Sequence, residues 1–483
     1  MAFLSLPALP ALAAQPETDA AALQKLIERV ERLEARNAQL EREVRALRGT
    51  PAAMTENPAT DGAAENETGI AARLKMVEED VVAMKNASTS PAEKRDGATL
   101  GAALTTVWQK ANGLPHGTHA NNKLNYRADL SIEAPLESAG AVEHKLFAHL
   151  RVGQGQGLNE TLGYLGHHNI PNATAFRVSG AEPDDAVVLL GQAWYQAAIP
   201  FGKASRRKLE LTFGKVDVFG FFDRNEAADD ETAQFLNTVF IHNPLLDAGG
   251  ELGVDANGFQ PGFIASYLDG HDGPEPWRLS FGVFGAGDAG ANYEDTTDSP
   301  LVIAQAEKKF SLFGGHSGNY RLYVWARRNV PDFISGASKH HTGFGISVDQ
   351  RVGEGMKLFG RYGQILRGNL HFNRALAIGA EASGLYWGRA SDSVGIAGSW
   401  LWTSRSYKRA GGKVYLNHES FKAGDPDFRF RPSSSERVAE IYYRYALTPQ
   451  FSLTPDVQWI WRGGANPHAG TVSVFGLRAN IAY

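Results

Sequence analysis

From residue 118 to the C-terminus the chain repeats one pattern, with apolar side chains on one parity and polar or charged side chains on the other. Successive side chains of an extended strand point to opposite faces, so a period of two marks β-strands with chemically distinct faces. Leu124, Tyr126, Ala128, Leu130 and Ile132 oppose Asn125, Arg127, Asp129 and Ser131. Leu146, Ala148, Leu150 and Val152 oppose Lys145, His149 and Arg151. Phe451, Leu453, Pro455, Val457, Trp459 and Trp461 oppose Ser452, Thr454, Asp456 and Gln458. At the end, Phe475, Leu477, Ala479, Ile481 and Tyr483 oppose Gly476, Arg478 and Asn480. Segments near 188–199, 208–213, 262–268, 277–285, 301–310, 320–328, 343–352, 356–364, 378–387, 394–402, 412–419 and 437–446 read alike, for about sixteen strands in all.

Two folds bury one parity of many consecutive strands. A large soluble β-domain hides the apolar parity, but it has no reason to place Arg or Lys opposite it in strand after strand. A transmembrane barrel turns the apolar parity to lipid and the charged parity to a water-filled lumen, and closure satisfies every backbone group. The expected fold is therefore an all-β transmembrane barrel of about 16 antiparallel strands over 118–483, preceded by an α-helical coiled-coil segment, with the soluble β-domain as the alternative. Tyr126, Trp277, Trp459, Trp461 and Tyr483 are the expected interfacial girdle. Composition fits: 52 glycines and 10% aromatics favour turns and strands. A mean hydropathy of −0.29 and the lack of a later run of 18 apolar residues exclude a helical membrane protein but not one built from strands. Absent cysteines remove disulfides, thiol catalysis and Cys-ligated zinc. Lys+Arg 48 against Asp+Glu 53 is too balanced for a nucleic-acid binder.

Residues 1–14 read as an export signal, an uncharged apolar stretch ending Ala11-Leu12-Ala13-Ala14. The missing basic n-region points to a start upstream of Met1. Over 20–48, Leu23, Leu26, Val30, Leu33, Asn37, Leu40, Val44 and Leu47 alternate by three and four, which is a coiled-coil seam. Placing Asn37 at position a makes it a register device, and Arg29–Glu34, Arg36–Glu41 and Glu43–Arg48 become attractive flanking pairs in a parallel arrangement. An amphipathic helix packed on a globular body is the alternative. A polar linker spans 49–69, Ile70, Leu74, Val77, Val81 and Met84 form a second short coil over 70–86, and 87–117 reads as a further linker. The stalk is expected to be periplasmic. Valine at a with leucine at d favours two strands, which keeps a dimer open beside a trimer.

Two stretches resemble the carbohydrate-selective porin family of OprB type. One runs Gly214-Lys215-Val216-Asp217, Phe221-Phe222-Asp223-Arg224-Asn225-Glu226, Asp230-Glu231-Thr232-Ala233-Gln234-Phe235-Leu236-Asn237 and Asn243-Pro244. The other runs from Glu440 through Tyr442-Tyr443-Arg444-Tyr445 to Pro449, then Leu453-Thr454-Pro455-Asp456-Val457-Gln458-Trp459-Ile460, closing with Gly476-Leu477-Arg478. The resemblance covers about 118–483 and implies a 16-stranded bacterial outer-membrane barrel that admits sugars by diffusion. The chain ends on Tyr483 where the family more often has Phe. The stalk resembles the extensions of some trimeric coiled-coil porins, including ones that pass aromatic acids.

Parity alone assigns the lumen. Arg127, Lys145, Arg151, Arg278, Arg321, Arg327, Lys357, Arg361, Arg444, Arg462 and Arg478 fall on the polar parity against Asp129, Glu210, Glu440 and Asp456, so the wall is expected to lean basic and to favour anions. Any single arginine can equally be an unspecific solvated wall residue. After Phe213 the alternation breaks, and Gly214–Asn243 carries Asp217, Asp223, Glu226, Asp229, Asp230 and Glu231. It is expected to fold inward and narrow the pore, setting a transverse field; an extracellular loop is the alternative. The candidate pore-lining and substrate-binding residues are Arg127, Arg151, Asp217, Asp223, Arg224, Asn225, Glu231, Arg321, Arg361, Glu440, Arg444, Asp456 and Arg478.

Other motifs carry little. The GxGxxG match at Gly285–Gly290 lacks the helix a dinucleotide needs. His167-His168 and His340-His341 are neighbours that point apart on an extended chain, and Gly315-His316-Ser317-Gly318 falls short of a nucleophile elbow because position 319 is Asn. No enzyme, cofactor, metal or nucleic-acid partner is expected. The reading is a diffusion porin for carbohydrates and similar small solutes, embedded in outer-membrane lipid as a homo-oligomer. An anion- or aromatic-acid-selective porin, an outer-membrane hydrolase and an envelope tether are the other readings.

Overall fold

The computed structural model describes residues 93–95, 97–115, 118, 121–175, 185–201, 206–246, 259–270, 276–287, 290–291, 293, 297–331, 338–410 and 432–483. The signal segment 1–14, the coils 20–48 and 70–86, the linker 49–69 and the strand expected near 412–419 lie outside these residues.

Sixteen described strands form one closed antiparallel ring. They are β1 (Ala98–Asn112), β2 (Asn122–Ala139), β3 (Val142–Gln154), β4 (Val187–Pro200), β5 (Arg207–Asp217), β6 (Phe259–Asp269), β7 (Trp277–Phe284) and β8 (Leu301–Leu312). The second half is β9 (His316–Pro331), β10 (Ser338–Gly353), β11 (Met356–Arg367), β12 (Phe372–Ser383), β13 (Ser393–Thr403), β14 (Ser435–Ala446), β15 (Phe451–Trp461) and β16 (Val472–Ala482). Each strand pairs with the next, and β16 returns to β1 through a register running from Ser473↔Asn112 to Ala482↔Ala103. Tyr483 and Ala102 exchange both backbone hydrogen bonds at the seam, so no edge is left open to lipid.

The barrel begins at Ala98, inside the segment 87–117 that the sequence pattern assigns to a linker. The reason is composition: Ala98-Thr99-Leu100-Gly101-Ala102-Ala103 puts small residues on both parities, so the alternation that Leu104, Trp108 and Val107 later carry is blurred.

The faces are inverted relative to a soluble protein. Outward Leu124 is 59% exposed and Ile396 59%, whereas inward Arg127 is 2% and Arg478 0%. Connections segregate as well. Short turns at 140–141, 313–315, 354–355 and 447–450 share one end of the barrel, and the long connections leave β3, β5, β7 and β13 at the other. In outer-membrane barrels the short turns are periplasmic and the long loops extracellular.

The apolar core lies within the ring. Segments 155–175, 218–246, 404–410 and 462–466 turn into the lumen and build two clusters against the wall. One joins Phe219, Phe222, Leu245 and Leu246 to Phe284, Tyr323, Trp325, Phe372 and Tyr407. The other joins Leu158, Leu162, Phe235 and Phe240 to Phe359, Tyr442, Ile460 and Val474. Wall glycines make room for these rings: a Cβ at Gly345 would overlap Tyr323, and one at Gly395 would overlap Tyr442.

Candidate functional site

The inward segment after β5 is shaped by short polar side chains that bond their own backbone. Asp217 caps the 3-10 turn Val218–Gly220 by accepting from Phe219 N at 3.0 Å, and Asn225 Oδ1 accepts from Ala227 N at 3.1 Å. Asp230 Oδ1 accepts from both the amide and hydroxyl of Thr232. Asn237 caps the helical turn Thr238–Ile241, and Asn243 Oδ1 accepts from Leu245 N. Such Asx turns hold a compact path without a strand or helix ladder. Asp223 takes φ 59, a left-handed conformation that Asp tolerates better than most residues.

Wall groups bind that path. Arg361 on β11 reaches the carbonyls of Ala228 (2.6 Å), Phe240 and Asp223 (3.0 Å), and it pairs with the Asp223 and Asp229 carboxylates at 3.3 Å each. Asp223 in turn accepts from Asn243 N at 2.7 Å and Tyr323 Oη at 2.9 Å. Arg478 on β16 donates to the carbonyls of Glu231 and Gln234 at 2.8 Å each. Glu440 on β14 accepts from Leu236 N at 2.6 Å and Asn237 N at 2.9 Å, while Asp456 beside it accepts from Gln458 Nε2. Arg127 bridges Asp129 (2.7 Å) and Glu231 (2.8 Å), Arg321 pairs with Asp349 at 2.7 Å, and Asn225 donates to Ser347 Oγ and the Val348 carbonyl.

Of the thirteen candidates, Arg127, Asp223, Asn225, Arg321, Arg361, Glu440, Asp456 and Arg478 are thus buried, most of them as anchors beneath the inward segment. Arg151, Asp217 and Glu231 keep part of their surface open, and Arg224 is the exposed one. Arg151 stacks over Phe259 at 5.2 Å and bonds Asp129 at 2.9 Å. Arg444 stands apart at the short-turn end, donating to the Ser391 carbonyl. The expected basic bias of the wall is offset: Glu307, Asp349, Glu381 and Glu436 also face inward, and they meet Arg321, Lys357 or loop amides.

Parity reasoning passed over an aromatic strip. Phe147 and Trp194 stack with centroids 4.9 Å apart, and Phe221 of the inward segment meets Trp194 edge-on at 6.0 Å. All three are partly open to the lumen. Lys145 lies 5.4 Å over the Trp194 ring, and Trp194 Nε1 donates to Gln192 Oε1. The signal was present in the sequence as Phe147 between Lys145 and His149, an aromatic residue on an otherwise polar parity.

Charge in the inward segment is uneven. Burial pushes the Asp229 carboxyl up to about 6 against the pull of Arg361. Burial also acts on Glu231, but Arg127 and Arg151 outweigh it and hold that carboxyl below the usual range.

The family model for the carbohydrate-selective porin, OprB family, matches residues 121–483. The chain belongs to this family. As an OprB-family porin it is an outer-membrane channel for carbohydrates. An uncharacterized protein of Aquifex aeolicus (strain VF5) is 23% identical over 339 residues, 70% of this chain and 84% of that protein. Porin AaxA of Chlamydia felis (strain Fe/C-56) is 24% identical over 190 residues, 38% of each chain. The high pH structure of Pseudomonas putida OprB shares the fold, with a TM-score of 0.62 at 17% identity over 80% of this chain and 94% of that one.

Removing the guanidinium in Arg361→Ala leaves three loop carbonyls without their donor and the Asp223 and Asp229 carboxylates without their cation. A destabilisation of about 3–5 kcal/mol is expected in urea unfolding from vesicles, with larger and noisier single-channel conductance. The raised Asp229 sets a pH dependence. Its protonated form favours the fold, fully so below the ordinary carboxyl range, and that contribution is lost as pH rises through about 6. Over the same window the inward segment gains a negative charge, so the cation-to-anion permeability ratio from reversal potentials is expected to rise between pH 5 and pH 7 by about the amount that Asp229→Asn abolishes.

Proposed function

We propose that this porin guides neutral polyhydroxylated solutes along the strip Phe147–Trp194–Phe221, past the exposed Arg224 and the partly open Arg151, Asp217 and Glu231. The aromatic strip carries the reading. A pyranose presents an apolar C–H face to an aromatic ring and hydroxyls to flanking donors and acceptors, and Lys145, Gln192, Gln196 and Glu133 line β2–β4 in that role. The dense pairing of wall arginines with carboxylates and carbonyls supports a neutral permeant over an anion, since little unpaired cationic charge is left to attract one.

Trp194→Ala is expected to weaken glucose block of ion current by about tenfold in half-saturating concentration, with potassium chloride conductance kept or raised. An unchanged glucose concentration dependence sinks the strip as the sugar path. A reversal potential far on the anion side, with gluconate or an aromatic acid blocking better than glucose, supports the acid-selective reading instead.

The assembly reading is a homo-oligomer whose coiled coils at 20–48 and 70–86 extend into the periplasm, resting on the 3-4 spacing and the attractive pairs around Asn37. Chemical crosslinking of the full chain in detergent should trap dimers or trimers, and deletion of 20–48 should reduce them; monomer alone in both contradicts it.

A further inference from the structure

On the outer face of β12–β15, at the long-loop end, four of the chain's nine tryptophans come together. Trp400 and Trp402 stand on β13, Trp459 and Trp461 on β15, and parity turns all four outward with Leu376 and Ala439. Two arginines share that face. Arg374 on β12 pairs in register with Trp402, its guanidinium 5.4 Å over the indole. Arg437 on β14 lies between Trp400 and Trp461, with Nε donating to Ser435 Oγ at 3.2 Å.

These cations differ from those of the lumen. Arg127, Arg321 and Arg361 each meet a carboxylate, whereas Arg374 and Arg437 are exposed and have no carboxylate partner among the described residues. Each outward arginine is the third residue of its strand, roughly 7 Å from the loop end. That is the depth of a lipid headgroup, where Arg is tolerated and indole rings settle. The two arginines are two strand spacings apart across the sheet and two residues apart along it, about 12 Å in all, a span that two long flexible side chains close over one anion.

We propose that this patch binds the phosphate headgroup of an anionic membrane lipid on the long-loop side of the barrel. The tryptophan faces hold the glycerol and upper acyl region, and Arg374 and Arg437 supply charge-assisted hydrogen bonds to phosphate.

The test is native mass spectrometry of the full chain in detergent, titrated with phosphatidylglycerol or phosphatidylcholine. Retained phosphatidylglycerol should exceed phosphatidylcholine. The double variant Arg374→Gln/Arg437→Gln should weaken its retention by about 25-fold, roughly fivefold per cation. Lys339→Gln, an exposed cation on β10, should leave retention unchanged, and an unaltered chloride conductance verifies that both variants fold. Equal retention of the two lipids, or equal retention by the double variant, overturns the proposal. So does displacement of the lipid by inorganic phosphate binding in its place, or a double variant that changes oligomer size while keeping its lipid.

Discussion

A guanidinium sealed inside a barrel must find an acceptor for its N–H groups, and at Arg361 those acceptors come from one loop. Asp223, Ala228 and Phe240 approach the same side chain with their carbonyls, and two loop carboxylates neutralise it. The residues lie at the beginning, middle and end of the inward segment, so a single wall cation closes the segment on itself as well as on β11. Breaking such a buried set leaves an uncompensated charge, which is why the arrangement behaves as a unit. Arg478 and Glu440 repeat the scheme with opposite polarity, one binding loop carbonyls and the other loop amides.

The apolar packing depends on that anchoring. Once the segment is held, Phe235 meets Phe240, Phe359 and Tyr442, while Phe222 meets Phe284 edge-on. The same wall face therefore alternates between salt-bridged positions and positions where glycine admits a ring. Tyr323 joins the two modes, its ring over Gly345 and its hydroxyl on Asp223. Glu436 does similar work for other inward segments, accepting from His168 N, Asn169 N and Gly464 N.

The barrel was legible because lipid and lumen impose opposite chemistry on alternate residues, as in Leu124 through Ile132, where parity gives the correct face at every position. Strand β1 escaped because alanine, glycine and threonine suit either face. The inward path of 218–246 was legible from its broken alternation and carboxylates. The fate of its partners was not: nothing in the spacing of Arg361 or Arg478 distinguishes a solvated wall arginine from one that binds carbonyls some hundred or more positions away in sequence. Carboxylates such as Asp349 and Glu381 were passed over because parity was summed as a bias, whereas the register pairs each with a particular cation.

Neutralisation by pairing decides what kind of selectivity such a pore can have. A wall rich in arginine would act as an anion filter if those charges faced water, but a guanidinium engaged with carboxylates and carbonyls projects little field into the lumen. The charge that solutes meet is then set by the groups left open, among them Arg224 and the partly exposed Lys145, Arg151, Asp217 and Glu231, with Asp229 passing from neutral to negative near pH 6. Cation and anion exclusion are both weak under those conditions. On the proposed sugar path, discrimination passes to shape and to the aromatic surface of Phe147, Trp194 and Phe221, the property by which a channel can favour sugars while letting small ions pass.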